Sequence, residues 1–426
     1  MDKIFEPLRK ELNYALGTIP LLKRSGELGL IQIYKSRIEA MPDFIDYIDQ
    51  EKNEVVIVAV TLSGTIKEIP SFFEKVQQGL SKSCEYKFLL THPDYISFRE
   101  AQESKKIHEL HNKIQERIND LLEKTEIPIE NIKLYKAPPS CSLLITSNKM
   151  LINPHTNTTE SYNTLCLLVN KRQIKDTKGK DSDIYSQYYR FHYKNAWDGP
   201  LAVRYDDYIA EQNEEVIKEL KIIIEDKIKF SRDLSKFFLI GVSGPSASGK
   251  TKLCQDLIKA FKREKIDVGH ITTDGWIFLN RKERFERRLS GYNPDVYKIS
   301  ELKKTIISIK KGNTASIPLY DHKKGLPYSS SVSYEPKQIN LLEGDVALTD
   351  EILDYVDFII FIDSSEDTQK YLRIKRDIEE RGYEKDEAIQ NFELHLEDYK
   401  NILKEDRSRA DLILRMNRGY LITMSK

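Results

Sequence analysis

The stretch GPSASGKT, Gly244 to Thr251, fits G-x-x-x-x-G-K-[ST] at every fixed position and directly follows the apolar run FFLIGVS. That run, together with the amphipathic segment TKLCQDLIKAFKREK beginning at Thr251, predicts a strand, a tight turn and a helix in immediate succession. Glycines 244 and 249 allow the turn backbone angles closed to other residues. The N–H groups of Ser246, Ala247, Ser248 and Gly249 can then close around a polyphosphate at the positive end of the following helix. Lys250 is the mobile cation for the outer phosphates, and Thr251 offers a hydroxyl to Mg2+. At least part of the chain is therefore expected to be an α/β unit.

With 426 residues, 40% of them hydrophobic, the chain has material for two domains with their own cores. Lysine plus arginine equals aspartate plus glutamate at 67 each, so no global charge recommends nucleic acid or an anionic membrane as the main partner. Cys84, Cys141, Cys166 and Cys254 show no C-x-x-C spacing and read as buried thiols of a reducing compartment, neither a disulfide framework nor a zinc site. The opening MDKIFEPLRK is too charged for the core of a signal peptide, and no stretch approaches the ~20 apolar residues that span a bilayer. A cytoplasmic protein without membrane insertion is expected.

Residues 1–210 carry strand candidates at EVVIVAVTL, YKFLL, NIKLYK, CSLLITS and NTLCLLV, with the helical stretch SKKIHELHNKIQERINDLLEK between the second and third. They predict an α/β or α+β domain. Residues 211–235 have helical spacing and high charge and read as a connecting helix. In residues 236–426, FFLIGVS, DVGHITTD, INLLEG and DFIIFIDS alternate with helices or loops, which predicts a mostly parallel sheet covered on both faces. Its ligands belong outside the carboxyl ends of the strands.

A phosphate cradle specifies nucleotide binding and leaves the reaction open. Asp274, in HITTDGWIFLN, stands just past a predicted strand, where its carboxylate can take a proton from an acceptor hydroxyl or cap a following helix. Glu343 ends the run INLL and suits a metal-bound water or a turn. Arg373, Arg376, Asp377 and Arg381 lie on one predicted helix, either as a basic lid over a transferring phosphoryl group or as an ion-paired surface.

GPSASGKT, TTDGWIFLN, RRLSGYNPDVYKISEL, IPLYDHKKGLPY, INLLEG and RIKRDIEERG occur in the order found in the uridine kinase, pantothenate kinase and phosphoribulokinase superfamily, which residues 236–426 resemble. The resemblance implies a P-loop kinase that uses ATP and Mg2+ to phosphorylate a small-molecule hydroxyl. It implies Lys250 on the phosphates, Thr251 and Glu343 at the metal, Asp274 as the hydroxyl-activating acid, and Arg373 and Arg376 in a lid. TTDGW and the basic run carrying Arg284, Arg287, Arg288 and Tyr292 are more similar to pantothenate kinase. RIKRDIEERG and KNILKEDRSRADLIL are more similar to uridine kinase.

Around Tyr320, Asp321 and His322 the sequence follows neither pattern. Tyr320 can stack on a base or bond a sugar, and His322 can donate or accept, although both also suit loop packing. Arg284, Arg287 and Arg288 suit an anionic acceptor. The lid and terminal segment rank a nucleoside-like acceptor first, with pantothenate or a sugar phosphate as alternatives, and a homo-oligomer is compatible with either.

FLLTHPDY, the following helix, KLYKAPPSCSLLITSNKMLINPH and YYRFHYKNAWDG resemble a divergent phospholipase-D-like domain. The active branch of that family needs H-x-K-x4-D. Here Lys149 has no histidine two places before it, and His155 no lysine two places after. Without the histidine pair the attacking group is missing, so the resemblance implies a noncatalytic sensor or interaction module. His92, Lys149, His155 and His192 are its candidates for an anionic ligand or for structural roles. A nucleotide-binding switch acting on this module is the alternative to an enzyme; Asp274 combined with the arginines favours the enzyme.

Overall fold

A computed structural model describes residues 24–102, 105–106, 109–137, 140–155, 163–172, 174–175, 179–180, 182–230, 237–322, 324–400 and 404–424. The chain divides into two units, Met1–Tyr208 and Ile209–Lys426.

In the first unit, β1 (Leu30–Tyr34) and α1 (Arg37–Gln50) precede β2 (Glu54–Ala59) and β3 (Glu85–Thr91). Helix α2 (Glu109–Lys124) leads to β4 (Ile132–Tyr135), β5 (Cys141–Ile145), β6 (Lys149–Pro154), β7 (Cys166–Asn170) and β8 (Ala202–Arg204). The eight strands form one sheet in the order β1-β7-β6-β5-β2-β3-β4-β8. β2, β3 and β4 run parallel, while β2 meets β5 antiparallel and a meander continues through β6 and β7. The sheet is therefore mixed. One face buries Val56, Val58, Leu143, Ile145 and Ile152 under Tyr185, Tyr193 and Trp197. The α2 stripe Leu110, Ile114, Ile118 and Leu121 is buried at helical spacing. At the start of α2, Glu100 accepts from the N–H groups of Leu110 and His111 at 2.7 and 3.2 Å, placing negative charge where the helix leaves donors unpaired.

Of the four residues singled out in this unit, His155 and His192 both contact the stretch Ser140–Ser142. His92 is buried edge-on against Tyr95 and Tyr208, and Lys149 lies over the Tyr47 ring. His155 Nε2 is 2.8 Å from Ser142 Oγ, and His192 Nδ1 is 3.3 Å from Ser140 Oγ.

Helix α3 (Tyr205–Phe230) contains the division between the units. The segment read as a connector is helical as far as Phe230, and residues 231–236 lie outside the described residues. It is more than a tether: Ile217, Leu220 and Ile224, spaced three and four apart, are buried in the core of the second unit. No helix among the described residues is long and apolar enough to cross a membrane.

The second unit opens with β9 (Phe238–Ser243), α4 (Lys250–Arg263) and β10 (Val268–Thr272). Next come α5 (Ile299–Lys310), the hairpin β11 (Ala315–Asp321) and β12 (Leu326–Tyr334), then β13 (Ile339–Glu343) and β14 (Phe358–Asp363). Helices α6 (Glu366–Glu379), α7 (Lys385–Asp398) and α8 (Lys404–Arg409) and strands β15 (Leu412–Met416) and β16 (Ile422–Met424) complete it. Six strands form the sheet β10-β13-β9-β14-β15-β16, parallel except for the last pair.

Every residue of β9 is buried, as an unbroken apolar run covered on both faces requires. Ile240 and Val242 pack with Leu253, Leu257 and Phe261 of α4, while Leu239 faces Ile271, Trp276 and Leu302. Since β9 lies between β13 and β14, the chain leaves its carboxyl end at a crevice flanked by the ends of both neighbours.

Candidate active site

The loop after β9 is shaped by two contacts. Gly244 has φ +149°, and a Cβ there would lie 2.5 Å from the Ile362 carbonyl oxygen, so only glycine lets the loop pass β14. The Ser246 N–H donates to Tyr292 Oη at 2.7 Å, which pins the loop crest. Lys250 Nζ donates to the carbonyls of Gly244 and Pro245 at 2.7 and 3.0 Å and to Asp345 Oδ1 at 3.1 Å. Ser248 Oγ is buried without a hydrogen-bond partner. A buried hydroxyl without a partner, a flexible cation and the N-terminus of α4 converge here, a donor set that fits a polyphosphate.

Below the loop, Ser243 donates to Asp406 Oδ2 at 2.6 Å. Burial is the main reason the Asp406 carboxyl is pushed up to about 6. The folded state therefore holds its proton more tightly than the unfolded chain, and stability falls as pH rises from the ordinary carboxylate value of about 4 to about 6. Asp406→Asn is expected to remove that slope and to leave the protein at least as stable as wild type above pH 6, checked by denaturant melts across pH 4–8.

The loop faces a cleft of about 690 Å³. Asp274 stands where β10 gives way to a single turn; Thr272 caps that turn by accepting from the Asp274 N–H, and Asn280 caps the next helix. Asp274 caps neither. Its carboxylate enters the cleft 3.7 Å from His322 Nε2. Removal from water and then the charge of Asp345 raise its pKa, with His322, Lys250 and Arg381 opposing. A Cβ on Gly275 would lie 2.1 Å from the Pro318 carbonyl oxygen, so the Asp274 turn and the β11 hairpin meet backbone to backbone. That contact fixes Asp274 relative to Tyr320.

On the opposite wall, Asp377 receives Arg373 at 2.9 Å, Arg376 at 3.2 Å and Arg381 at 3.0 Å. Burial alone would raise its carboxyl, but Arg373, Arg376 and Arg381 hold it below the ordinary range. Arg376 Nη2 also donates to Ser246 Oγ at 3.1 Å, which joins helix α6 to the loop. Arg373 donates to His395 Nδ1 at 2.9 Å; burial and the arginines keep that imidazole neutral, as an acceptor must be. The arginines are ion-paired, as one sequence reading has it, but around a buried Asp377 and lining the cleft, not on a solvated surface.

Glu343 ends β13 opposite Thr272 of β10 and is buried, with its Oε1 3.2 Å from His270 Nε2. No hydrogen bond of good geometry reaches its Oε2. A buried carboxylate oxygen at a cleft that Thr251 also borders is suited to a divalent cation or its water, so the residues fit Mg2+.

Of the residues named from sequence, Ser246, Ala247, Ser248, Gly249, Lys250, Thr251, Asp274, Arg284, Tyr292, Tyr320, His322, Glu343, Arg373 and Arg376 all border this cleft. Two do not. Gly244 acts behind the loop, and Arg288, expected at the acceptor, is exposed beyond the cleft at the end of the short helix Arg281–Glu286, where its φ of +53° turns the chain away. Tyr292, expected to touch the acceptor, is almost wholly buried and anchors the loop. Arg284 donates to Tyr320 Oη at 3.1 Å, so those two form one wall. Asp345 was missed although it stands two residues after Glu343 in LLEGD; Asp406 and His395 lie in segments whose patterns give only helix and surface.

The phosphoribulokinase/uridine kinase family profile matches residues 239–422. Uridine kinase of Lactococcus lactis subsp. cremoris is 32% identical over 193 residues, covering 42% of this chain and 89% of the relative. Phosphoribulokinase of Synechocystis sp. is 27% identical over 184 residues, covering 43% of this chain and 54% of that protein. Among solved structures, phosphoribulokinase from Rhodobacter spheroides aligns at TM-score 0.36 and 19% identity over 43% of this chain and 71% of its own.

Proposed function

The chain belongs to the phosphoribulokinase/uridine kinase family, and from that premise we propose that its second unit phosphorylates a hydroxyl of a nucleoside-like small molecule at the cleft below the phosphate loop. One observation carries this reading: Asp274, Lys250 and the arginines of α6 border a single cleft, so proton acceptor, phosphate donor set and lid converge there. ATP with Mg2+, when bound, supplies the electrophilic phosphorus and neutralises part of its charge. Lys250 and the loop amides hold the anionic end, with Thr251 and Glu343 at the metal. Asp274 orients the acceptor hydroxyl and takes its proton at a carboxylate oxygen. Arg373 and Arg376 face the charge that builds on the transferred group and help exclude water.

Two observations bear on the acceptor. Tyr320 presents a ring beside His322, with centroids 5.3 Å apart, a surface suited to a base or sugar. Arg281 and Arg284 border the same wall and favour a second reading, an acceptor that already carries a phosphate or carboxylate. The first unit, on its motif resemblance, is read as a noncatalytic phospholipase-D-like sensor or interaction module.

A mass-resolved assay of the full chain with ATP over nucleosides, pantothenate and sugar phosphates tests these readings together. A phosphorylated nucleoside is the expected product. Preference for pantothenate or a sugar phosphate selects the anionic reading. Tight ATP binding without any phosphorylated product favours a switch, and phosphodiester hydrolysis that survives Lys250→Ala overturns the noncatalytic reading of the first unit.

A further inference from the structure

Behind the phosphate loop, three donors of different chemistry meet: Cys254 on α4, His270 on β10 and Glu343 on β13, with their ligand atoms all within 4.8 Å of one another. Cys254 and Glu343 are buried, and His270 is about a quarter exposed on the cleft side. The three already face one another, His270 Nε2 at 3.2 Å from Glu343 Oε1 and the Cys254 thiol against the same carboxylate, yet no hydrogen bond of good geometry reaches Glu343 Oε2 or His270 Nε2. Unsatisfied buried polar atoms of this kind call for an unplaced partner. A partner that suits thiol, imidazole and carboxylate at once is a thiophilic divalent cation, whereas Mg2+ prefers an all-oxygen shell.

We infer that Cys254, His270 and Glu343 form a three-ligand site for Zn2+ or a similar thiophilic cation, whose occupation takes Glu343 away from the catalytic metal and so inhibits phosphoryl transfer. The site stands on geometry alone; only its inhibitory consequence rests on the function proposed above. A tetrahedral zinc with bonds of about 2.0–2.3 Å keeps its donors roughly 3.3–3.6 Å apart. The His270–Glu343 separation of 3.2 Å is already at that spacing, and closing the rest takes side-chain rotation of about 1 Å. Binding converts the Cys254 thiol to a thiolate, its proton passing to solvent, while His270 and Glu343 bind neutral and anionic respectively. The fourth position opens to the cleft, which provides the route of entry. Sequence spacing gave no sign of the site, because its ligands come from three elements.

The test uses the full chain without nucleotide, titrated with Co2+ as a spectroscopic stand-in for zinc in the presence of excess Mg2+. The expected result is one equivalent bound with a thiolate-to-cobalt charge-transfer band. Cys254→Ser should abolish the band, and His270→Gln should weaken binding by at least about tenfold. Zn2+ should inhibit turnover of the wild type, and each variant should need at least about ten times more zinc for the same inhibition, with Mg2+-supported turnover itself retained. Cys254 is wholly buried, so the more exposed His270→Gln keeps the test decisive if Cys254→Ser fails to fold. A missing thiolate band, or a folded variant that binds cobalt as tightly as wild type, overturns the site. Turnover indifferent to zinc at full occupancy overturns the inhibition. The cobalt spectrum needs no catalysis, so its outcome is independent of whether the kinase reading survives.

Discussion

Lys250→Met is expected to lower kcat by about 10²–10³-fold, the loss typical when one preorganised donor is removed from a developing negative charge. Methionine keeps the stem and removes the ammonium. Lys250 Nζ is also the cation beside Asp345, and both side chains are largely buried, so the substitution leaves Asp345 with an unneutralised charge. Lys250→Met/Asp345→Asn separates the two effects: it should recover any lost thermal stability and no turnover. Steady-state kinetics with an identified acceptor, together with melting curves of the wild type and both variants, checks both halves. Turnover of the single variant within a factor of three of wild type would remove Lys250 from the transferring phosphate.

Asp274→Asn should cost about 10²–10⁴-fold in kcat, the range for a positioned general base, while nucleotide affinity stays close to wild type. The raised pKa of Asp274 gives the wild type a recognisable pH profile. A base works only when ionised, so kcat should climb with pH through a value above the ordinary carboxylate figure of about 4. In the asparagine variant that limb should vanish. Burial and Asp345 make the ionised form of Asp274 unfavourable in the folded protein, so the variant should also melt higher than wild type at neutral pH. Lost activity with gained stability is the signature of a carboxylate retained for chemistry. Turnover unchanged in Asp274→Asn would assign the hydroxyl proton to another group.

The phosphate loop and the strands around it were legible because each is local: β9 and β14 are unbroken apolar runs, and α4 repeats its buried leucines at helical spacing. Strands β1, β6, β8, β15 and β16 were not. β1, β8 and β16 are short, and LIQIY leaves most of its side chains in water, so its alternation is faint. The hairpin β11–β12 escaped for a related reason, since seven of the nine residues of β12 are exposed and five are serine or proline, leaving one leucine, one valine and two tyrosines. Asp274 and Glu343 could be found because each directly follows a strand. The roles of Asp345 and Asp406 could not, because each acts on a partner distant in sequence: Lys250 for Asp345, and Ser243 for Asp406. Tyr292 was legible only in part: its motif marked it as important, yet only the fold shows that its hydroxyl accepts from the Ser246 N–H of the loop.

Asp377 gathers Arg373, Arg376 and Arg381 around one carboxylate. Freezing a long side chain at a binding surface costs about 0.5–1.5 kcal/mol, so three guanidiniums recruited from disorder would charge each binding event with about 1.5–4.5 kcal/mol of lost rotamer freedom. Folding bears that cost once, and an incoming anion meets cations already in register. The same carboxylate sets a limit at the other end of the cycle. An anion must share the guanidiniums with Asp377 while bound, and its departure restores ion pairs instead of stranding three desolvated cations. The arrangement thus trades some depth of ground-state affinity for reversibility, which suits the lid role proposed for these arginines, where a product has to leave after each turnover.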